Sequence, residues 1–346
     1  MPDTYTSQFS GEEIDAALRA AQIISGASTP AELRKKLEIR GDTIPVSAED
    51  PTPISGAVKY RTNPNLLDNW FFGNPVNQRG QMEYTGNGYT IDRWSSGVAL
   101  SLKNGFIRIT SSGMYTQIFQ TLESDFAGKT FTFSLIVRGT PGAQCRTLAY
   151  DYAKDVAYGM GTTHEFVSDG FEMVTVSDTF PSNTPAKLTF ILYPDNADTN
   201  LSVDILAAKL ELGSTQTLAH KEGDRWILNE IPDFGEQLRS CQRYAVELNR
   251  TNEEYPMLGI GQARTSTQVS AIVNIPPMRA RPTLTTDASK WTLCNGETYI
   301  TPSSINVNSI SNNCMQLFIN ASGLIQGAVY EVYLYGYGKA FLSADL

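Results

Sequence analysis

Alternation of apolar and small polar side chains is the feature that most constrains this chain. Phe131, Phe133, Leu135 and Val137 alternate with Thr130, Thr132 and Ser134, and Leu188, Phe190 and Leu192 alternate with Lys187 and Thr189. Successive side chains of an extended strand point to opposite faces, so a period of two puts one set in a core and the other outside. Each run reads as a half-buried antiparallel strand of a sandwich. The pattern returns toward the C-terminus: Val269, Ala271, Val273 and Ile275 share one face of a strand, Met315, Leu317 and Ile319 one of another, and Tyr330, Val332 and Leu334 one of a third. The 27 glycines and 17 prolines supply the turns such a chain needs. Val203, Ile205 and Ala207 keep one parity and Leu210 and Leu212 the other, so a β-bulge is expected near Ala207 or Ala208.

Helical spacing is confined to three places. Ser10-Gly11-Glu12-Glu13 has capping-box form and is followed by Ile14, Ala17, Leu18 and Ala21, which predicts a helix over 10–24. Thr29-Pro30-Ala31-Glu32 repeats the box with Pro at the first helical position, and Leu33 and Leu37 face one side until Gly41. Leu238, Cys241, Tyr244, Ala245 and Leu248 predict a third helix over 235–248. Pro45, Pro51, Pro53 and Gly56, with few bulky apolar neighbours, mark 42–62 as a linker. The expected fold is therefore mainly β. A short helical stem (1–41) and the linker precede an antiparallel, jelly-roll-like β-sandwich (63–215), a connector with one helix (216–254) and a second such sandwich (255–346). Stem helices this short are marginal alone, and identical copies in a parallel bundle would give them neighbours.

A net charge of −9 without any basic run argues against nucleic acid as a partner, because phosphate binding needs clustered Lys and Arg. No stretch is long and apolar enough for a membrane span, and the N-terminus lacks the basic and apolar regions of a simple export signal. Cys145, Cys241, Cys294 and Cys314 stand far apart and read as buried free thiols. With His164 and His220 the only histidines, a zinc site or a Ser-His-Asp triad has few ways to form. The chain is expected to be no enzyme and to hold no metal or cofactor.

Two constellations suit a ligand. In Asp92-Arg93-Trp94 an indole face could stack on a sugar ring while charged neighbours bridge its hydroxyls, or Trp94 could pack in a core beside a local ion pair. Tyr333, Tyr335 and Tyr337 form a stripe opposite Tyr330, Val332 and Leu334. That stripe suits a subunit interface around a threefold axis, a platform for a glycan or protein receptor, or plain core. Asp195-Asn196-Ala197-Asp198-Thr199-Asn200 reads as a hairpin turn rather than a calcium loop. Gly259-Ile260-Gly261 reads as a turn or a tight strand contact, and Glu123 with Asp125 is a carboxylate pair of the kind a glycosidase needs, or simply two solvated acids.

Several stretches resemble a family of phage tail-fibre and receptor-binding proteins. They are Asn65-Leu66-Leu67-Asp68-Asn69-Trp70-Phe71-Phe72, Asn77-Gln78-Arg79-Gly80, Tyr89-Thr90-Ile91-Asp92-Arg93-Trp94, Lys209-Leu210-Glu211-Leu212-Gly213-Ser214, Leu238-Arg239-Ser240-Cys241-Gln242-Arg243-Tyr244, Pro277-Met278-Arg279-Ala280-Arg281-Pro282-Thr283 and Ser343-Ala344-Asp345-Leu346. The resemblance implies a carbohydrate-binding-module-like jelly roll behind a stem that trimerises through Phe9, Ile14, Leu18, Leu33 and Leu37 and docks onto tail or baseplate proteins. It implies a place on the virion and attachment to a host-surface glycan or protein. A tail-associated glycan depolymerase and a capsid or baseplate decoration fibre are the alternatives.

Overall fold

The computed structural model describes residues 63–110, 117–159, 163–194, 201–249, 251–311 and 313–345. The segments expected as stem helices, with Phe9, Ile14, Leu18, Leu33 and Leu37, as a linker and as the 195–200 turn lie outside them. The compact unit Pro64–Leu346 holds two separate apolar cores, each between antiparallel sheets. Mainly β architecture with two sandwich-like halves is thus what the alternation produces.

In the first sandwich one sheet runs in the order Glu83–Tyr84, Ala99–Lys103, Phe106–Thr110, Ser202–Leu212, Thr130–Arg138 and Glu172–Thr179. The facing sheet runs His164–Glu165, Gln144–Asp151, Lys187–Pro194, Ile118–Glu123, Ser95–Ser96 and Gly88–Tyr89. The bulge falls one residue earlier than expected, between Ile205 and Ala207, where the strand changes neighbour. Up to Ile205 it pairs with Phe106–Thr110. Beyond that the 65–72 segment takes over: the Leu66 amide donates to Leu210 O at 2.8 Å, Phe72 to Leu206 O at 2.9 Å, and Ala208 to Trp70 O at 3.0 Å. The parity shift keeps Val203, Ile205, Ala208 and Leu210 all in the core.

Thr130–Arg138 is not half-buried as its alternation predicts, since Thr132 and Ser134 are buried as fully as Phe131 and Phe133. Part of the expected connector supplies the cover. The hairpin Ala219–Glu222 and Arg225–Leu228 belongs to the first sandwich, with Leu218 and Ala219 in its core. Buried Lys209 donates to Glu230 at 2.6 Å, and buried Glu211 accepts from the Thr217 amide and hydroxyl, each at 2.6 Å. Charge on the outer face of a strand is here charge beneath a lid, tolerated because each buried group has a partner.

The connector helix is shorter than its period suggests. It spans Phe234–Gln242, with Asp233 as N-cap accepting from the Glu236 amide. Tyr244, Ala245 and Leu248 continue the helical spacing but not the helix. Ala245–Glu247 instead pairs with Ala340–Ser343, whose other edge takes Thr283–Thr286. This three-stranded sheet packs Val246, Ala340 and Leu342 against a seven-stranded one of order Tyr299–Ile300, Trp291–Cys294, Val329–Leu334, Met257–Thr265, Gln268–Asn274, Cys314–Asn320 and Ser304–Ile310. The second sandwich therefore begins near Ala245, ahead of the expected 255. Cys145, Cys241 and Cys294 are buried cysteines in no disulfide, whereas Cys314 is half-exposed.

Gly259 and Gly261 are a tight strand contact. A Cβ on Gly259 would meet the Ile272 carbonyl oxygen at 2.1 Å, and one on Gly261 would meet Val269 Cγ1 at 2.6 Å. Gly259→Ala is expected to cost about 1–3 kcal/mol or more, since a backbone oxygen yields less readily than a side chain. Thermal denaturation beside Gly170→Ala, whose nearest neighbour is Ser168 Oγ at 3.4 Å, checks this. Equal melting temperatures would refute it.

Candidate functional site

Asp92, Arg93 and Trp94 are not a ligand surface. All three are buried, Trp94 to 1% exposure. Trp94 meets Phe72 edge-on at 5.1 Å, and its Nε1 donates to Asn69 O at 2.9 Å. Asp92 accepts from the Gln78 amide at 2.6 Å and from Gln78 Nε2 at 2.9 Å. Burial, only partly offset by those bonds and by Arg79, pushes its carboxyl up to about 6. Arg93 has φ +68°, donates from Nε to Asp68 at 3.0 Å and from Nη2 to Thr121 O at 2.9 Å, and lies 3.5 Å over the ring of Tyr244.

Tyr244 belongs to the other side of a seam between the sandwiches. Gln78 Nε2 also donates to Ala245 O at 2.8 Å, Arg79 pairs with Asp345 at 2.9 Å and covers the Phe341 ring, and the Ala344 amide donates to Tyr244 O at 2.6 Å. Cys241 is buried here, and burial together with Asp92 and Asp68 pushes its thiol up. Residues that read as a sugar platform are a clamp between two cores.

The tyrosine stripe does open onto a cavity. Tyr333 and Tyr335, with Tyr255, Tyr299, Ser289, Trp291, Thr292 and Thr301, line a groove of about 580 Å³ at one end of the seven-stranded sheet. Register explains the gathering. Thr292 lies opposite Tyr333, Cys294 lies opposite both Glu331 and Tyr299, and the odd-numbered face of Val329–Leu334 points away from the core. The 254–256 segment runs beside it: the Leu334 amide donates to Pro256 O at 3.1 Å and the Tyr337 amide to Glu254 O at 3.4 Å. Tyr255 is thereby brought edge-on to Tyr335, ring centroids 5.5 Å apart. Tyr299 is 77% and Tyr335 50% exposed, so both offer a ring face. The Tyr333 hydroxyl donates to Glu331 at 2.7 Å, which with desolvation pushes its phenol up to about 12. It stays a neutral donor across any ordinary pH.

Tyr337 does not join them. The strand ends at Leu334, and Gly336 at φ +56° and Tyr337 at φ +58° turn the chain away. Tyr255 and Tyr299 were missed in the sequence because each sits in a short segment without alternation. The legible signal was only an aromatic flanking a strand.

A second aromatic surface lies on the first sandwich. Phe119 and Tyr150 point outward from the sheet of Lys187–Pro194, and exposed Tyr152 meets Tyr150 edge-on at 4.8 Å. Glu123 is held by Arg279 at 2.5 Å, and Asp125 by Lys129 at 3.1 Å. Among the described residues no three His, Cys, Asp or Glu side chains gather as a metal would require, and no helix is long and apolar enough to cross a membrane.

No family model and no curated protein matches this sequence. Solved structures with similarity include a CBM4 domain at 13% identity, which covers 40% of this chain and 92% of its own with a TM-score of 0.30. Others are the CBM22-1 xylan-binding domain from Paenibacillus barcinonensis at 8%, 45%, 99% and 0.31 in the same terms, and a family 29 carbohydrate binding module at 15%, 37%, 87% and 0.27.

Proposed function

We propose that this protein is a non-catalytic glycan-binding protein that takes a neutral sugar chain in the groove of Tyr255, Tyr299, Tyr333 and Tyr335. The carrying observation is the groove's chemistry. Its rings present faces for sugar C–H groups, Ser289, Thr292 and Thr301 supply neutral hydrogen bonds, and no charged side chain is in its lining. Beyond that, the motif resemblance supports a tail fibre or receptor-binding protein of a phage virion. The N-terminal residues would trimerise and dock on the tail or baseplate while the second sandwich meets the host surface.

Tyr299→Ala with Tyr335→Ala is expected to weaken binding of a neutral host glycan roughly tenfold to a hundredfold, at ~0.5–1.5 kcal/mol for each lost ring face. The melting temperature should barely move, since both rings are largely exposed. Titration calorimetry at two salt concentrations checks this, with little salt dependence expected for an uncharged contact. Unchanged affinity in that variant, with loss in Tyr150→Ala/Tyr152→Ala, would move the site to the first sandwich, where the edge-on tyrosine pair supports a second reading. Release of new reducing ends from the glycan would make the protein a depolymerase instead. Labelled protein imaged on intact particles separates a tail from a capsid location.

A further inference from the structure

A second cleft differs from the groove in charge. It has a volume of about 650 Å³ and lies between the Phe234–Gln242 helix and the 276–279 segment. Arg239, in the last turn of the helix, and Arg243, its C-cap, stand one turn apart and so share a helix face. Both are exposed, and neither has an ion-pair partner among the described residues. Glu236, the one acid in the lining, makes no ion pair with either. The facing wall is Pro276, Pro277 and Met278, and it is fixed in place. The Arg279 amide donates to Arg243 O at 2.8 Å, and the Arg279 guanidinium is spent on Glu123 at 2.5 Å and on Ala344 O at 3.3 Å.

Two guanidiniums without ion-pair partners repel each other, with the Tyr244 ring 5.9 Å from Arg243, although the chain as a whole carries a net charge of −9. The negative end of the helix dipole accounts for a cation at that end. It does not account for the apolar Pro276-Pro277-Met278 stretch that lines the same cleft. Planar guanidiniums hold carboxylate or phosphate oxygens through paired hydrogen bonds, and an apolar surface beside them can cover the C–H groups of a ligand ring.

We propose that this cleft is a second ligand site, which takes an anionic sugar: Arg239 and Arg243 bind its carboxylate or phosphate, and the Pro276-Pro277-Met278 wall packs on its ring. The site is independent of the tyrosine groove. Trigalacturonate and glucose 6-phosphate serve as probes for the two anion types, and uncharged maltotriose as the control, each titrated calorimetrically into the full chain. At least one anionic probe is expected to bind at low salt and to weaken severalfold on moving to high salt. Arg239→Gln/Arg243→Gln should lose that binding at least tenfold with an unchanged melting temperature, and Arg239→Lys/Arg243→Lys should recover part of it. Tyr299→Ala/Tyr335→Ala should leave it intact, so failure of the groove and failure of the cleft are told apart. Binding of neither anionic probe, equal binding of maltotriose, or full binding by the glutamine variant overturns the proposal.

Discussion

Arg93→Ala is expected to destabilise the unit 64–346 by about 2–4 kcal/mol, because it removes a fully buried, hydrogen-bonded guanidinium while its partner Asp68 retains some access to water. That is a large share of the ~5–15 kcal/mol that holds an ordinary domain together. Three contacts go at once: the ion pair with Asp68, the bond to Thr121 O, and the stack on Tyr244. Asp68 loses its ion-pair partner, and Tyr244 loses the cation 3.5 Å above its ring. Arg93→Lys should restore only part of the loss, because an ammonium cannot lie flat on the ring or reach two acceptors in a fork. A double-mutant cycle with Tyr244→Ala should give a coupling of about 1–2 kcal/mol across the seam. Urea denaturation measures all five proteins. A loss below ~1 kcal/mol in Arg93→Ala would mean that the seam is not held there.

Asp92 should make stability depend on pH in the direction opposite to most carboxylates. Its folded value of about 6 lies above the ordinary 3.8, so the folded protein takes up the proton first as pH falls. Its contribution is fully present below ~4 and is lost as pH rises through about 6. At ~1.4 kcal/mol for each tenfold change in proton affinity, the loss is about 3 kcal/mol by pH 7.5. Asp204 runs the other way, because its bonds to Arg108 and Arg138 hold its carboxyl low, so its contribution fades in acid. Comparison with Asp92→Asn isolates the first effect. The stability of wild type minus variant should rise by about 2–3 kcal/mol between pH 7.5 and pH 4. A flat difference would show that Asp92 titrates near its ordinary value.

Strands were legible in the sequence wherever one face met a core and the other met solvent. Gln268–Asn274, Cys314–Asn320 and Val329–Leu334 bury the side chains their parity selects. The reading failed where a third layer intervened. Thr132, Ser134, Lys209 and Glu211 look like a solvent face because nothing local reveals that the 217–230 stretch will fold back over them. It failed again at Tyr244, where helical spacing persists but a backbone bond from Ala344 and the Arg93 stack take the residue. The groove was half visible, through Tyr333 and Tyr335, because a strand's outward row can be counted. Its other walls come from segments joined only by register. Residues from several of the motifs that carry the resemblance share a location: Gln78, Arg79, Arg93, Tyr244, Ala344 and Asp345 meet at the seam, whereas Lys209 and Glu211 lie beneath the 217–230 stretch.

That seam has a consequence for the order in which the molecule assembles. Its contacts join residues 167, 266 and 156 positions apart, whereas each sandwich closes largely through strands of its own. Loops that long are slow to close, so two formed but undocked halves should precede the native state. The surfaces such an intermediate leaves open carry Gln78, Arg79, Asp92 and Arg93, and water solvates these well. A half-assembled molecule would then be less prone to stick to its neighbours than one with a bare apolar core. The cysteines report the sequence of events from within: Cys145 lies in the first core, Cys294 in the second sandwich and Cys241 at the seam. In pulsed thiol labelling during refolding, Cys145 and Cys294 should become protected before Cys241, and simultaneous protection of all three would mean that the halves fold as one.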